Sequence, residues 1–129
     1  MRMLLAILLI VEVTFAVSSA QADAVRAETL LSTCYADKRS AQYGYCVGFI
    51  VGVAEKMADF GLQRSTYGDG TAPRPLESIC PDGAPDYDAS NLVPLFINWA
   101  ANHPEEMNGL ASFAVGNALQ TKWPCHFSK

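Results

Sequence analysis

The stretch that decides the fold is Tyr45-Cys46-Val47-Gly48-Phe49-Ile50-Val51-Gly52-Val53-Ala54-Glu55-Lys56-Met57-Ala58-Asp59-Phe60. Cys46, Phe49, Ile50, Val53, Met57 and Phe60 recur at three- and four-residue spacing, the periodicity of a helix and not of a strand. The first half is apolar all round, as in a helix surrounded by other helices. Glu55, Lys56 and Asp59 turn the later half to solvent. Gly48 and Gly52 lie on one face, and each costs up to about 1 kcal/mol of helix propensity. Close approach of a neighbouring helix is the expected compensation. Residues 45–60 are thus read as a central helix.

Three further helices follow on either side. Residues 24–35 form the first, with Val25, Leu30, Leu31 and Cys34 as its apolar side, and 37–44 is a polar connection. Pro94 dates the third, because proline fits the first turn, where its missing N–H has no intrahelical partner. The helix then covers 92–102, capped by Ser90 or Asn91, and buries Leu92, Leu95, Phe96 and Trp99. Pro104 followed by Glu105 and Glu106 is a start signal for the fourth. Its inner face is Met107, Leu110, Ala111, Ala114 and Ala118, and Pro124 ends it. Between the second and third helices, residues 61–91 contain Pro73, Pro75, Pro81 and Pro85 together with the turn sequences Tyr67-Gly68-Asp69-Gly70 and Pro81-Asp82-Gly83. So long an irregular connection is uncommon in a compact domain and is often functional. The expected fold is all-α: a small, disulfide-stapled four-helix domain with one long irregular loop between helices 2 and 3.

The chain contains four cysteines, Cys34, Cys46, Cys80 and Cys125. An even number in a short exported chain implies disulfides. Export is indicated by Arg2, a run from Met3 to Val17 that is apolar apart from Glu12 and Thr14, and a small-x-small site at Ala20-Gln21-Ala22. Residues 1–22 are read as a signal peptide and 23–129 as one domain, located in the periplasm with no membrane span. Four cysteines allow three connectivities. A hairpin of the first two helices favours Cys34–Cys46, and antiparallel packing of the last two favours Cys80–Cys125.

A formal net charge of −4 argues against nucleic acid, whose phosphates need a basic surface, and no nucleic-acid partner is expected. No polybasic segment points to an anionic membrane. Catalytic patterns are missing as well: no G-x-S-x-G, H-E-x-x-H, P-loop or C-x-x-C occurs. His103 precedes Pro104 and is read as an N-cap or loop residue; His126 follows the last cysteine. Asp82, Asp86 and Asp88 lack the register of a calcium loop and are read as solvated turn residues. Neither an enzyme nor a cofactor or metal site is expected.

Several of these residues recur together in a known pattern. Cys46-Val47-Gly48-Phe49-Ile50-Val51-Gly52 resembles the C-x-G-[YF]-I-x-G signature of the Rap/Tai family, the immunity proteins of bacterial type VI secretion systems. Cys34, Cys80-Pro81, His103-Pro104-Glu105 and Trp123-Pro124-Cys125 match the family's remaining elements in order. The resemblance implies a helical, disulfide-containing periplasmic protein, often a homodimer, that blocks a peptidoglycan amidase effector. The long loop has its own sequence, with no counterpart among known effector-contacting loops. Its Arg64, Tyr67, Asp69, Arg74, Asp86 and Tyr87 are of the residue types that dominate interfaces. They are the expected partner contacts. Two other classes fit a small periplasmic helical domain: an acid-stress chaperone of the HdeA type, and a carrier for a small apolar ligand.

Overall fold

A computed structural model describes residues 24–67, 78–80 and 88–125. The expected signal peptide (1–22), Asp69, Arg74, Asp82, Asp86, Tyr87 and His126 lie outside the described residues. Within them the order is α1 (Ala27–Cys34), α2 (Ala41–Tyr67), α3 (Ala89–Asn102), a 3-10 turn (Pro104–Glu106) and α4 (Ala111–Lys122). Arg26 and Leu110 form an isolated antiparallel bridge, and no strand occurs among the described residues. The all-α, four-helix reading is borne out.

Helix α2 is longer than its apolar period indicates. It begins at Ala41 because Ser40 caps it: the Ser40 hydroxyl accepts from the Tyr43 amide at 3.1 Å. Asp37 folds the short connection before it, accepting from the Arg39 amide at 2.8 Å in an Asx turn. At the far end the helix continues past Gly61 to Tyr67. Residues 61–67 contain no proline, and one glycine weakens a helix without stopping it. Arg64 and Tyr67 are therefore helical, not part of an irregular loop.

The core forms where α2 meets the other three helices. Cys46, Ile50, Ala54 and Met57 from α2 are buried with Leu30 and Cys34 of α1, Leu92, Phe96 and Trp99 of α3, and Ala111, Ala114, Val115, Ala118 and Leu119 of α4. Complete burial of a Leu, Ile or Phe side chain is worth about 1.5–3 kcal/mol. Helix α4 approaches α2 closely through its small residues: a Cβ built on Gly116 would lie 3.3 Å from Met57 Sδ. Gly48 and Gly52 behave otherwise. Both are exposed, and a Cβ on either meets nothing within 4 Å, so no neighbouring helix approaches them. The close approach expected at these glycines occurs at Gly116 instead. Helix α2 is central, but one strip through Tyr45, Gly48, Gly52 and Lys56 faces outward.

Two helix starts also differ from expectation. Helix α3 begins at Ala89, with the Asp88 carboxylate accepting from the Ser90 amide at 2.9 Å. Pro94 then falls beyond the first turn. The carbonyl it leaves without an intrahelical amide is that of Ser90, and both residues are exposed, so water can satisfy it. Pro104 opens only a 3-10 turn, not the fourth helix. The carbonyls of Met107 and Gly109 accept from the amides of Glu28 (3.0 Å) and Ala27 (2.9 Å), and the Ala111 amide donates to Val25 at 2.8 Å. Spent on the start of α1, these groups cannot continue a helix, and α4 begins afresh at Ala111. Leu110, expected on the inner face, is exposed.

Candidate partner-binding site

Disulfides join Cys34 to Cys46 and Cys80 to Cys125, with Cα atoms 5.2 and 4.8 Å apart. These are the pairs favoured by the hairpin layout. In the loop-entropy model their closures contribute about 3 and about 4 kcal/mol. The first locks α1 against α2. The second fastens the chain just before α3 to the chain just after α4.

The second disulfide belongs to a clamp that the sequence reading missed. Residues 61–91 were expected to be one irregular connection, yet residues 78–80 are fixed to the core in its middle. Ile79 and Ser78 are completely buried. The Ile79 amide donates to the Met57 carbonyl at 3.2 Å, and the Cys80 amide to Trp123 at 3.2 Å. Gln120 Nε2 donates to the Ser78 carbonyl at 3.2 Å. The Ser78 hydroxyl lies 3.7 Å from Cys125 Sγ, an atom that can only accept. The legible signal was Ile79, a β-branched aliphatic residue beside a cysteine in a proline-rich stretch.

The six expected contact residues divide in two. Arg64 and Tyr67 lie on the last turns of α2. Asp69, Arg74, Asp86 and Tyr87 fall on 68–77 and 81–87, outside the described residues. The clamp at 78–80 holds the chain between these two segments to the body of the domain.

A second feature lies at the other end of α2. The backbone pairing of the chain before α1 with the chain before α4 leaves an open cleft of about 810 Å³, walled by Val25, Arg26, Thr29, Tyr45, Asn108 and Leu110. Arg26 donates to the Asn108 carbonyl at 2.7 Å. Sequence reasoning passed over this place because Leu110 was assigned to a helix face. Asn108-Gly109, a turn dipeptide, was the signal that could have found it.

His103 is half-buried at the C-terminal end of α3. Its ring stacks on Trp99 at 4.2 Å between centroids, and Nδ1 donates to the Trp99 carbonyl at 2.8 Å. It thus terminates α3 instead of capping a fourth helix. Among the described residues, no three metal-ligating side chains come together, and no helix is long and apolar enough to cross a membrane.

The architecture defines a class: a small helical domain, fastened by two disulfides, with residues 78–80 clamped to its core between α2 and α3. The family model of the Rap1a immunity proteins matches residues 26–125, from the start of α1 to the last cysteine. The chain belongs to this family. Immunity proteins neutralise an effector by binding it, so the expected partner is a protein. No curated protein and no solved structure matches the chain.

Proposed function

We propose that the chain is a periplasmic immunity protein that binds a type VI secretion effector, a peptidoglycan amidase, and occludes its active-site cleft. The observation that carries this reading is the family match, which extends over nearly all the described residues and includes every cysteine. Residues 1–22 act as the export signal, and the oxidising compartment forms the two disulfides. A body cross-linked in this way, with its loop already clamped at residues 78–80, loses little conformational entropy on binding. The protein acts without catalysis, and as a homodimer, the form that the family resemblance implies.

The test uses the oxidised, tagged chain to capture partners from the periplasm and secreted fraction of its own source bacterium, with identification by mass spectrometry. Stoichiometric recovery of a peptidoglycan amidase, inhibited by the chain in a cell-wall turbidity assay, is the expected result. Recovery of the chain alone contradicts the reading. Light scattering on the same material measures whether two copies associate.

A further inference from the structure

The cleft at the N-terminal end of α2 sets one cation among apolar and uncharged side chains. Arg26 is the one charged side chain among the described residues that line it, in a protein of net charge −4. The Asn108 carbonyl takes one N–H of its guanidinium and fixes its position. The other N–H groups remain available, in the fork geometry that suits a carboxylate. Beside this cation the surface is apolar. Tyr45, 45% exposed, and Leu110, 40% exposed, stand on the cleft wall. Tyrosine and arginine are the residue types enriched among interface anchors.

The walls are set before any ligand arrives. The Arg26–Leu110 bridge and the amide bonds of Ala27, Glu28 and Ala111 tie both sides of the cleft together. Those three amides are already spent on backbone carbonyls, and the charged donor on the cleft wall is Arg26. The starts of α1 and α4 beside the cleft add only a weak positive field. A volume of about 810 Å³ lies within the usual range of ligand pockets, about 300–1,000 Å³.

From this arrangement we infer that the cleft is a docking site for a segment of the protein partner that presents a carboxylate beside an apolar side chain. The carboxylate meets Arg26, and the apolar group lies against Tyr45 and Leu110. The inference rests on the immunity reading for its partner, but it places the contact away from the loop. About 33 Å of helix separates Tyr45 from Tyr67, so substitutions at the two ends of α2 report on different surfaces.

The experiment has two arms. In the first, amide spectra of the isotope-labelled, oxidised chain are recorded with N-acetyl-leucine and with N-acetyl-leucinamide. The acid is expected to shift the amides of Arg26, Thr29, Gly109 and Leu110 in a saturable way, the neutral amide to bind about tenfold more weakly, and Arg26→Gln to abolish the difference. In the second, Arg26→Glu and Leu110→Asp are each expected to weaken amidase binding about tenfold or more, while Arg64→Ala and Tyr67→Ala reduce it less. Leu110 is exposed, so its variant retains the fold, and helix content by circular dichroism verifies this for both. The inference is overturned if the acid and its amide act alike, if the shifts fall elsewhere, or if amidase binding is indifferent to both cleft variants. A wild-type chain that binds no amidase refutes the immunity reading, and the acid–amide comparison still decides whether the cleft selects a carboxylate.

Discussion

Replacing both Gly48 and Gly52 by alanine is expected to stabilise the protein. In a buried, tightly packed helix the added methyl groups would collide, and the pair would destabilise. Here each Cβ meets nothing within 4 Å, so the packing term is close to zero. What remains is intrinsic helix propensity, which favours Ala over Gly by about 0.5–1 kcal/mol per site. The two sites are neighbours on successive turns, but a methyl group on either meets no other atom within 4 Å, so each contributes its own propensity gain. The double variant should gain about 1–2 kcal/mol. In a domain of about this size each kcal/mol moves Tm by about 4–8 °C. Thermal denaturation of the oxidised chain, followed by circular dichroism at 222 nm, reads the shift directly. Gly116→Ala is the internal control: its Cβ would press on Met57 Sδ at 3.3 Å, and the thioether must move before any gain appears. It should stabilise less than either exposed substitution. A double variant that melts below the wild type would refute the reasoning, because it would mean that a neighbour packs against this strip.

Further expectations concern the disulfides, the caps and the core. Replacing Cys80 and Cys125 by serine should cost about 4 kcal/mol, and the Cys34–Cys46 pair about 3 kcal/mol; urea denaturation ranks the two, and the reverse order would contradict the loop-length reasoning. Asp88→Ala removes the side-chain cap of α3 and should lower stability by about 1 kcal/mol, whereas Asp88→Asn should preserve most of it. Phe96→Ala empties a nearly fully buried site at the centre of α3 and should cost about 3–5 kcal/mol in the same assay. His103→Ala removes both the ring stacked on Trp99 and the hydrogen bond to the Trp99 carbonyl. A loss of about 1–2 kcal/mol with a change in tryptophan emission is expected.

Apolar period and cysteine placement carried most of the fold. Ile50, Met57, Leu92, Phe96 and Trp99 are buried as their spacing requires, and the hairpin layout gave the observed disulfides. Departures came where backbone hydrogen bonds overrode local preference. Pro104 carries every mark of a helix start, yet the carbonyls of Met107 and Gly109 go to α1 and break the helix. Pro94 suits a first turn because its missing N–H has no intrahelical partner there; it sits further in because the carbonyl it leaves, that of Ser90, is on an exposed residue and the cost is small. The glycines of α2 misled because propensity shows that a cost exists but not where it is recovered. The loop residues proposed as contacts were chosen by type alone, and type does not place a side chain. The cleft beside Arg26 was less legible still, since it depends on two segments more than 80 positions apart, as the Arg26–Asn108 hydrogen bond records.

Inhibition titration tests the immunity function most directly. A peptidoglycan amidase from the type VI secreted fraction of the source bacterium is assayed by turbidity against purified cell wall, with increasing amounts of the oxidised chain. Activity is expected to fall linearly and to vanish near one chain per enzyme. Undiminished hydrolysis in the presence of excess chain would contradict the proposed function.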